Sequence, residues 1–212
     1  MEPRQSDATI PTTRPENRSP LLVVISGPAG VGKDSVVQRM KEMGYPFHFV
    51  VTATDRAPRP GEVPGKDYFF FSPAEFQRMV QEDELLEHAV VYGQQKGVPR
   101  QQVREALASG KDVIMRLDVQ GAATIRRLAP QAILIFITAS VEELTRRLRK
   151  RAADSQEQMA ARMDQLPEEM ECLDDFDYFV VNRRGELDQA VKKVIAIIEA
   201  EHCRVHPRVI RL

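Results

Sequence analysis

The chain has 212 residues, and its 30 Lys and Arg side chains nearly balance 31 Asp and Glu, which leaves a formal net charge of −1. This balance argues against a general binder of polyanions, so we expect no nucleic acid partner. A hydrophobic content of 42% in a chain of this length is enough to bury the core of one compact domain, which excludes intrinsic disorder.

The ends of the chain differ from its middle. Residues 1–20 hold four of the 14 prolines and charges of both signs, without the apolar segment of a secretory signal. We interpret them as a flexible N-terminal tail, residues 21–200 as the folded domain, and residues 201–212 as a C-terminal tail. The apolar run at residues 132–137 is far too short to span a bilayer, so no membrane partner is expected.

Strand-like apolar runs alternate with segments of helical periodicity. Residues 21–26 form the first run, a glycine-rich turn follows, and residues 35–43 have helical spacing. The later predicted pairs of strand and helix are 112–117 with 119–128, 132–138 with 141–151, and 178–181 with 187–200. This order predicts an α/β fold in which a parallel sheet has helices on both faces.

Two segments interrupt this alternation. Residues 54–73 contain four prolines and two glycines and precede a helix-like stretch at residues 74–82. Ligands bind at the carboxyl edge of open α/β sheets, so we expect residues 52–110 to form a substrate-binding lobe over that edge. The polar, arginine-rich residues 149–164 are predicted to form a lid, and Pro167 is expected to kink the following helix or to start a new one.

Residues 27–33 read Gly-Pro-Ala-Gly-Val-Gly-Lys and match the first seven positions of the phosphate-binding pattern GxxxxGK followed by Ser or Thr. The loop lies between a predicted strand and a predicted helix, where backbone N–H groups and a helix N-terminus bind phosphate. Lys33 is expected to reach the β and γ phosphates. The residues predicted to bind the nucleotide here are Gly27, Pro28, Ala29, Gly30, Val31, Gly32, Lys33, Asp34 and Ser35.

The eighth position of the pattern holds Asp34 instead of the hydroxyl that coordinates magnesium. One interpretation is that its carboxylate, a hard oxygen donor, ligates the ion directly. The other is that Asp34 interacts with the helix N-terminus while Ser35 or water ligates magnesium. Both interpretations stay open from the sequence.

Arg56 and Arg59 are three residues apart on the proline-rich loop, near hydroxyls and Tyr68. Guanidinium groups bind phosphate bidentately, so the pair predicts a second phosphate site. Solvated surface charge is the alternative interpretation when the residues are considered alone.

Together these motifs resemble the guanylate kinase family over about residues 21–200. The matching segments are residues 27–33, 54–62, 67–68, 84–87, 118–121 and 147–151, Arg162, and residues 180–182. The resemblance implies a P-loop α/β fold with a GMP-binding lobe and a lid. It also implies transfer of the γ-phosphoryl group of ATP to GMP, and to dGMP, with magnesium as the cofactor.

Carried over position by position, the resemblance assigns roles to the matching residues. The residues implied to bind GMP are Thr52, Arg56, Arg59, Tyr68, Glu87, Lys96 and Asp118. The carboxylates of Glu87 and Asp118 suit guanine, because its N1–H and N2–H groups are donors that adenine lacks as a pair. The residues implied to stabilise the transferring phosphoryl group are Lys33, Arg147, Arg151 and Arg162, and Asn182 is implied to lie near adenine.

Some positions depart from the common pattern of the family. Lys96 and Val98 stand where a Tyr and a hydroxyl residue are usual, and Arg116 stands where an acid often precedes Asp118. Lys96 keeps the ability to bind phosphate, whereas Val98 cannot hydrogen-bond guanine O6, so that contact falls to Thr52, a backbone N–H or water. The departures as a group are similar to the organellar-type and related bacterial branch of the family.

Two other functions compete with this interpretation. A kinase of another phosphorylated small molecule, such as ribose bisphosphate, is favoured by Val98 and opposed by Glu87 and Asp118. A non-catalytic scaffold is opposed by the intact phosphate loop. Cys172 and Cys203 have neither the spacing of zinc ligands nor the high cysteine content of a disulfide-rich protein, so we expect reduced thiols and a cytoplasmic protein. We expect a monomer or a dimer.

Overall fold

The computed structural model describes residues 19–91, 93–149 and 156–212, whose strands form two β-sheets. The strands are β1 (Leu22–Ser26), β2 (His48–Phe49), β3 (Thr52–Thr54), β4 (Tyr68–Phe70), β5 (Leu85–Val91), β6 (Gln94–Pro99), β7 (Val113–Arg116), β8 (Ile133–Thr138) and β9 (Tyr178–Val181). The helices are α1 (Lys33–Glu42), α2 (Pro73–Gln81), α3 (Arg100–Ala108), α4 (Val119–Leu128), α5 (Val141–Arg149), α6 (Gln156–Glu171) and α7 (Leu187–His202), and a 3-10 helix spans Cys172–Asp175.

The main sheet has five parallel strands in the order β2-β7-β1-β8-β9. The central strand β1 pairs with β7, where Ile25 lies opposite Arg116, and with β8, where Ser26 lies opposite Phe136. This confirms the predicted parallel α/β sheet. It also adds β2, a two-residue strand that the periodicity did not indicate.

Side chains of β1 alternate between two hydrophobic cores. Val23 and Ile25 pack in the core that α1 and α7 cover, while Leu22 and Val24 pack in the core that α3 and α4 cover. Because helices cover both faces of the strand, each of its residues is buried, which explains its unbroken apolar sequence. The loop after β1 is therefore attached to a fully buried strand.

The second sheet has the order β4-β3-β6-β5, in which β3 and β4 are parallel and the other pairs are antiparallel. Helix α2 closes a third, smaller core against it, built around Phe76 and Leu85. Ser72 and Glu75 cap the start of α2 reciprocally: the Ser72 hydroxyl accepts from the Glu75 N–H, and the Glu75 carboxylate accepts from the Ser72 N–H. The limits predicted for the lobe, residues 52–110, include this sheet, α2 and α3.

The later part of the chain shows two further features. Pro167 lies inside α6, which continues to Glu171, so no new helix starts at this proline. Helix α7 extends to His202, and residues beyond it lie against the body of the molecule, since Ile210 and Leu212 contact the core under α3 and α4. Within the described part of the chain, no helix is both long enough and apolar enough to cross a membrane.

Candidate active site

A cavity of about 420 Å³ lies between the carboxyl edge of the main sheet and the second sheet. Its lining comes from the loops after β1 and β7, from β3 to β6, and from α5 and α6. Seven of the described lining side chains are Lys or Arg and six are Asp or Glu. A highly charged ligand with both anionic and hydrogen-bonding groups matches such a lining.

The loop between β1 and α1 has the backbone conformation that its glycines allow. Gly27, Gly30 and Gly32 have φ angles of 133°, 77° and 95°. A Cβ on Gly27 would lie 2.1 Å from the carbonyl oxygen of Ile137, so only glycine fits. Lys33 Nζ donates to the carbonyls of Gly27 (2.6 Å) and Pro28 (3.1 Å). Burial lowers the pKa of Lys33, although the charges of three nearby acids act to raise it.

Arg147 and Asn182 both hydrogen-bond the backbone of this loop. The carbonyl of Val31 accepts from Arg147 Nη1 and from Asn182 Nδ2, each at 2.8 Å. Arg147 Nη2 also donates to the carbonyl of Asn182 at 2.9 Å, and its Nε donates to Glu143 at 2.7 Å. Arg147 lines the cavity, whereas Asn182 lines an adjoining cavity of about 260 Å³ next to Gly32.

Glu62 organises the predicted site for the acceptor phosphate. Its carboxylate accepts from both terminal nitrogens of Arg56, at 2.6 and 2.7 Å, and from the backbone N–H of Arg59 at 2.8 Å. These bonds lower the pKa of Glu62 and raise the pKa of Arg56. The Arg56 guanidinium carbon lies 4.8 Å from the centroid of the Tyr68 ring, so the structure brings Arg56, Arg59 and Tyr68 together at one wall.

Glu87 and Asp118 lie at the wall predicted to receive the base. Glu87 is buried, and burial together with the charge of Asp118 raises its pKa to about 8, although Lys96 acts in the opposite direction. Burial likewise lowers the pKa of Lys96 to about 8. Asp118 caps α4 by accepting from the Gly121 N–H at 2.8 Å, and a Cβ on Gly121 would come within 2.8 Å of Glu87 Oε1.

The positions of Thr52 and Val98 show which of the two side chains could replace the hydroxyl that is usual at position 98. Val98 is fully buried beside Leu86 and Val103 in the core under α3 and α4, and it is not among the described residues that line the cavity. Thr52 is buried and does line the cavity. Of these two side chains, Thr52 is the one placed to contact a ligand.

Helix α6 contributes two charged residues to the cavity, Arg162 and Glu169, and both are buried. Glu169 Oε2 accepts from the backbone N–H of Ala29 at 2.9 Å, which ties α6 to the phosphate loop. Residues 150–155 of the predicted lid lie outside the described residues, and so does the predicted catalytic residue Arg151.

Two side chains beside the phosphate loop could bind magnesium through oxygen. The side chains of Asp34 and Ser35 line the cavity next to Lys33, and both are hard oxygen donors that fit magnesium. In the part of the chain that the structure describes, no three His, Cys, Asp or Glu side chains cluster as a metal site. Asp34 and Ser35 therefore fit magnesium as two of its oxygen ligands.

Sequence reasoning missed the roles of three lining residues. Glu62 belongs to the recognised block at residues 54–62 but received no function, and Arg116 was noted only as a departure from the pattern. Arg116 Nη1 forms an ion pair with Asp34 Oδ1 at 2.7 Å. For Glu169 the sequence carries no signal, since its partner Ala29 is 140 residues away.

A parallel sheet, a glycine-rich phosphate loop at its centre and a second group of basic side chains in the same cavity are typical of a P-loop phosphotransferase. The family model described as guanylate kinase matches residues 19–201. The chain belongs to the guanylate kinase family.

Similar proteins cover most of the chain. Guanylate kinase 2, chloroplastic/mitochondrial, of Oryza sativa subsp. japonica is 49% identical over 91% of this chain and 68% of its own length. A guanylate kinase of Caldanaerobacter subterraneus subsp. tengcongensis is 42% identical over 87% of this chain and 89% of its own. The crystal structure of guanylate kinase from Anaplasma phagocytophilum superposes with a TM-score of 0.74 at 28% identity, covering 89% of each chain.

Proposed function

We propose that the chain transfers the γ-phosphoryl group of ATP to GMP, and to dGMP, giving ADP and the nucleoside diphosphate. One observation carries the proposal: a single cavity joins the phosphate loop at residues 27–33 to the Arg56 and Arg59 site and to the buried carboxylate of Glu87. Two anion sites and a base-reading acid in one cavity are what a kinase of a guanine nucleotide needs.

Guanine is read by acceptors in this proposal. The N1–H and N2–H groups donate to Glu87 and Asp118, and the charge of Asp118 helps burial to raise the pKa of Glu87. Thr52 donates to the base in place of a hydroxyl at position 98. Adenine has no matching donor pair and would leave Glu87 buried without a partner, which costs binding free energy.

Phosphoryl transfer relies on positioning and on charge. Arg56, Arg59, Tyr68 and Lys96 hold the phosphate of GMP, whose oxygens are already nucleophilic at neutral pH, so no general base is needed. Lys33 and the arginines of α5 and the lid neutralise the charge of the group in transfer. The arginines in this role are Arg147, Arg151 and Arg162.

The remaining ligands complete the donor site. Asn182 lies in the cavity that adjoins the loop, which supports its proposed position near adenine. Magnesium would be held by Asp34 or Ser35 together with the phosphates of ATP, and when bound it neutralises phosphate charge. We place the protein in the cytoplasm, and the free thiols of Cys172 and Cys203 agree with such a reducing compartment. It acts there as a monomer or dimer and binds no nucleic acid.

The experiment is ADP production from MgATP with GMP, dGMP, AMP, IMP and ribose bisphosphate offered separately, with Lys33→Met as the inactive control. Turnover confined to GMP and dGMP is expected. Turnover of IMP at the same rate would show that Asp118 does not recognise the N2 amino group of guanine. Preference for ribose bisphosphate would indicate the alternative kinase, and ATP binding without transfer to any acceptor would indicate a scaffold.

A further inference from the structure

Arg116 and Asp34, two residues that depart from the family pattern, form an ion pair across the cavity. Arg116 is the last residue of β7, and Asp34 lies in the first turn of α1. Their side chains meet at 2.7 Å between Nη1 and Oδ1. The family pattern often has an acid at position 116 and a hydroxyl residue at position 34, whereas this chain has a cation at the end of β7 and an acid beside the phosphate loop.

The surroundings of Arg116 place its charge between the two anion sites. Its guanidinium carbon lies 4.9 Å from the centroid of the Tyr68 ring, the ring that Arg56 also contacts. Its charge contributes to lowering the pKa of Lys33 at the phosphate loop and of Lys96 at the acceptor wall. Arg116 therefore acts electrostatically on both sides of the cavity.

The charge of Arg116 is permanent. Burial opposes it, yet Asp34, Tyr68 and Asp67 raise the pKa of its guanidinium above the ordinary value. A guanidinium carries five N–H donors in a planar fork, and the bond to Asp34 uses the Nη1 side. An arginine held at one edge by a carboxylate is oriented to bind an anion with its other donors.

We propose that Arg116 binds the phosphate of the acceptor nucleotide beside Tyr68, and that Asp34 is a positioning residue that holds Arg116 there from the phosphate loop. This inference rests on the proposed function. It gives Asp34 a role that does not depend on magnesium, and it couples the position of the acceptor phosphate to the loop that holds the donor. The acid at position 34 then strengthens acceptor binding, because it orients Arg116.

The test uses Arg116→Gln, Asp34→Asn and the double variant. Binding of GMP and of MgATP is measured separately by calorimetry, alongside kcat, KM and thermal unfolding. Arg116→Gln should weaken GMP binding roughly ten- to hundred-fold, the loss expected for a charge-assisted hydrogen bond, and change MgATP binding less than about two-fold. Asp34→Asn should weaken GMP binding by a smaller factor in the same direction.

The double variant separates positioning from a purely structural ion pair. Removing both charges should recover the thermal stability lost in Asp34→Asn, because the largely buried guanidinium of Arg116 is then no longer left without its partner, while GMP binding stays as weak as in Arg116→Gln. Arg116→Lys, which keeps the charge without the fork, should bind GMP with intermediate affinity. Arg126→Gln is the matched control: it breaks an ion pair with Asp177 remote from the described cavity lining, so it should lower stability and leave GMP binding unchanged.

Three results would overturn the inference. GMP binding unchanged in Arg116→Gln would remove Arg116 from the acceptor site. Recovery of GMP binding in the double variant would reduce the pair to a structural role. An increased magnesium requirement in Asp34→Asn, with GMP binding intact, would make Asp34 a metal ligand instead. A wild-type protein that fails to phosphorylate GMP would instead refute the proposed function, which is a separate result.

Discussion

Glu87 is the residue whose protonation should change most when a guanine nucleotide binds. Burial and the neighbouring charge of Asp118 raise its pKa to about 8, so below that pH the carboxyl is mostly protonated in the free protein. Two N–H donors of guanine favour the carboxylate and lower its pKa in the complex. Binding near pH 7 must therefore release a proton from this group.

We predict that wild-type protein releases a fraction of a proton approaching one when it binds GMP at about pH 7, and that Glu87→Gln does not. Calorimetry in two buffers of different ionisation enthalpy measures the number of protons. Lys96, with a pKa lowered to about 8, contributes a small uptake in both proteins, so it cancels in the comparison. Equal proton release by the two proteins would show that Glu87 does not face the base.

Gly121 gives a second test of the same contact. A Cβ at this position in α4 would lie 2.8 Å from Glu87 Oε1 and force the carboxylate away. Alanine favours a helix by about 1 kcal/mol over glycine, but the new Cβ would also lie 3.3 Å from Leu117 Cβ beside the buried Glu87, so Gly121→Ala should unfold at the same or a somewhat lower temperature. Its KM for GMP should rise at least about ten-fold, the cost of roughly one displaced hydrogen bond. Loss of stability with unchanged KM would show that Gly121 serves packing alone.

At the scale of elements, the phosphate loop depends on a close approach to β8. The Cβ of Gly27→Ala would meet the Ile137 carbonyl at 2.1 Å, and backbone atoms on both sides cannot move without disturbing the central strands. We expect this variant to be strongly destabilised, by several kcal/mol, as for other severe core strain.

The control for this prediction is Gly110→Ala. Gly110 also has a positive φ, 77°, but a Cβ there would meet nothing within 4 Å. The substitution should cost only the backbone strain of about 1–2 kcal/mol. Chemical denaturation compares the two variants, and similar losses would mean that conformation rather than the contact with Ile137 decides the cost at position 27.

The elements differ in how well the sequence predicts them. Strand β1 is evident because helices bury both of its faces, which requires an unbroken apolar run. Strand β2 is not evident, because two residues, His48 and Phe49, carry no periodicity and pair only through the main-sheet register. The phosphate-loop motif and the family resemblance named residues of which most described members line one cavity. No local sequence pattern predicts the pairings of Asp34 with Arg116 and of Ala29 with Glu169, because the fold brings together residues that are far apart in the sequence.

At the scale of the whole molecule, the cavity connects the two sheets, so a ligand bound there contacts both. GMP in the proposed position touches β3 to β6 and the end of β7, whereas ATP touches the loop after β1 together with α5 and α6. A ligand that binds only the folded state stabilises it by RT ln(1 + [L]/Kd). The stability of the whole chain therefore reports which nucleotide the cavity accepts.

We predict that GMP at a concentration of about 100 times its Kd adds roughly 2.7 kcal/mol to the free energy of unfolding. For a domain of this size that corresponds to an increase in Tm of about 5–11 °C. AMP at the same concentration carries the same phosphate but lacks the donor pair that Glu87 and Asp118 read, so it should raise Tm far less. Scanning calorimetry with each nucleotide measures the difference, and an equal increase with AMP would mean that the cavity binds the phosphate without reading the base.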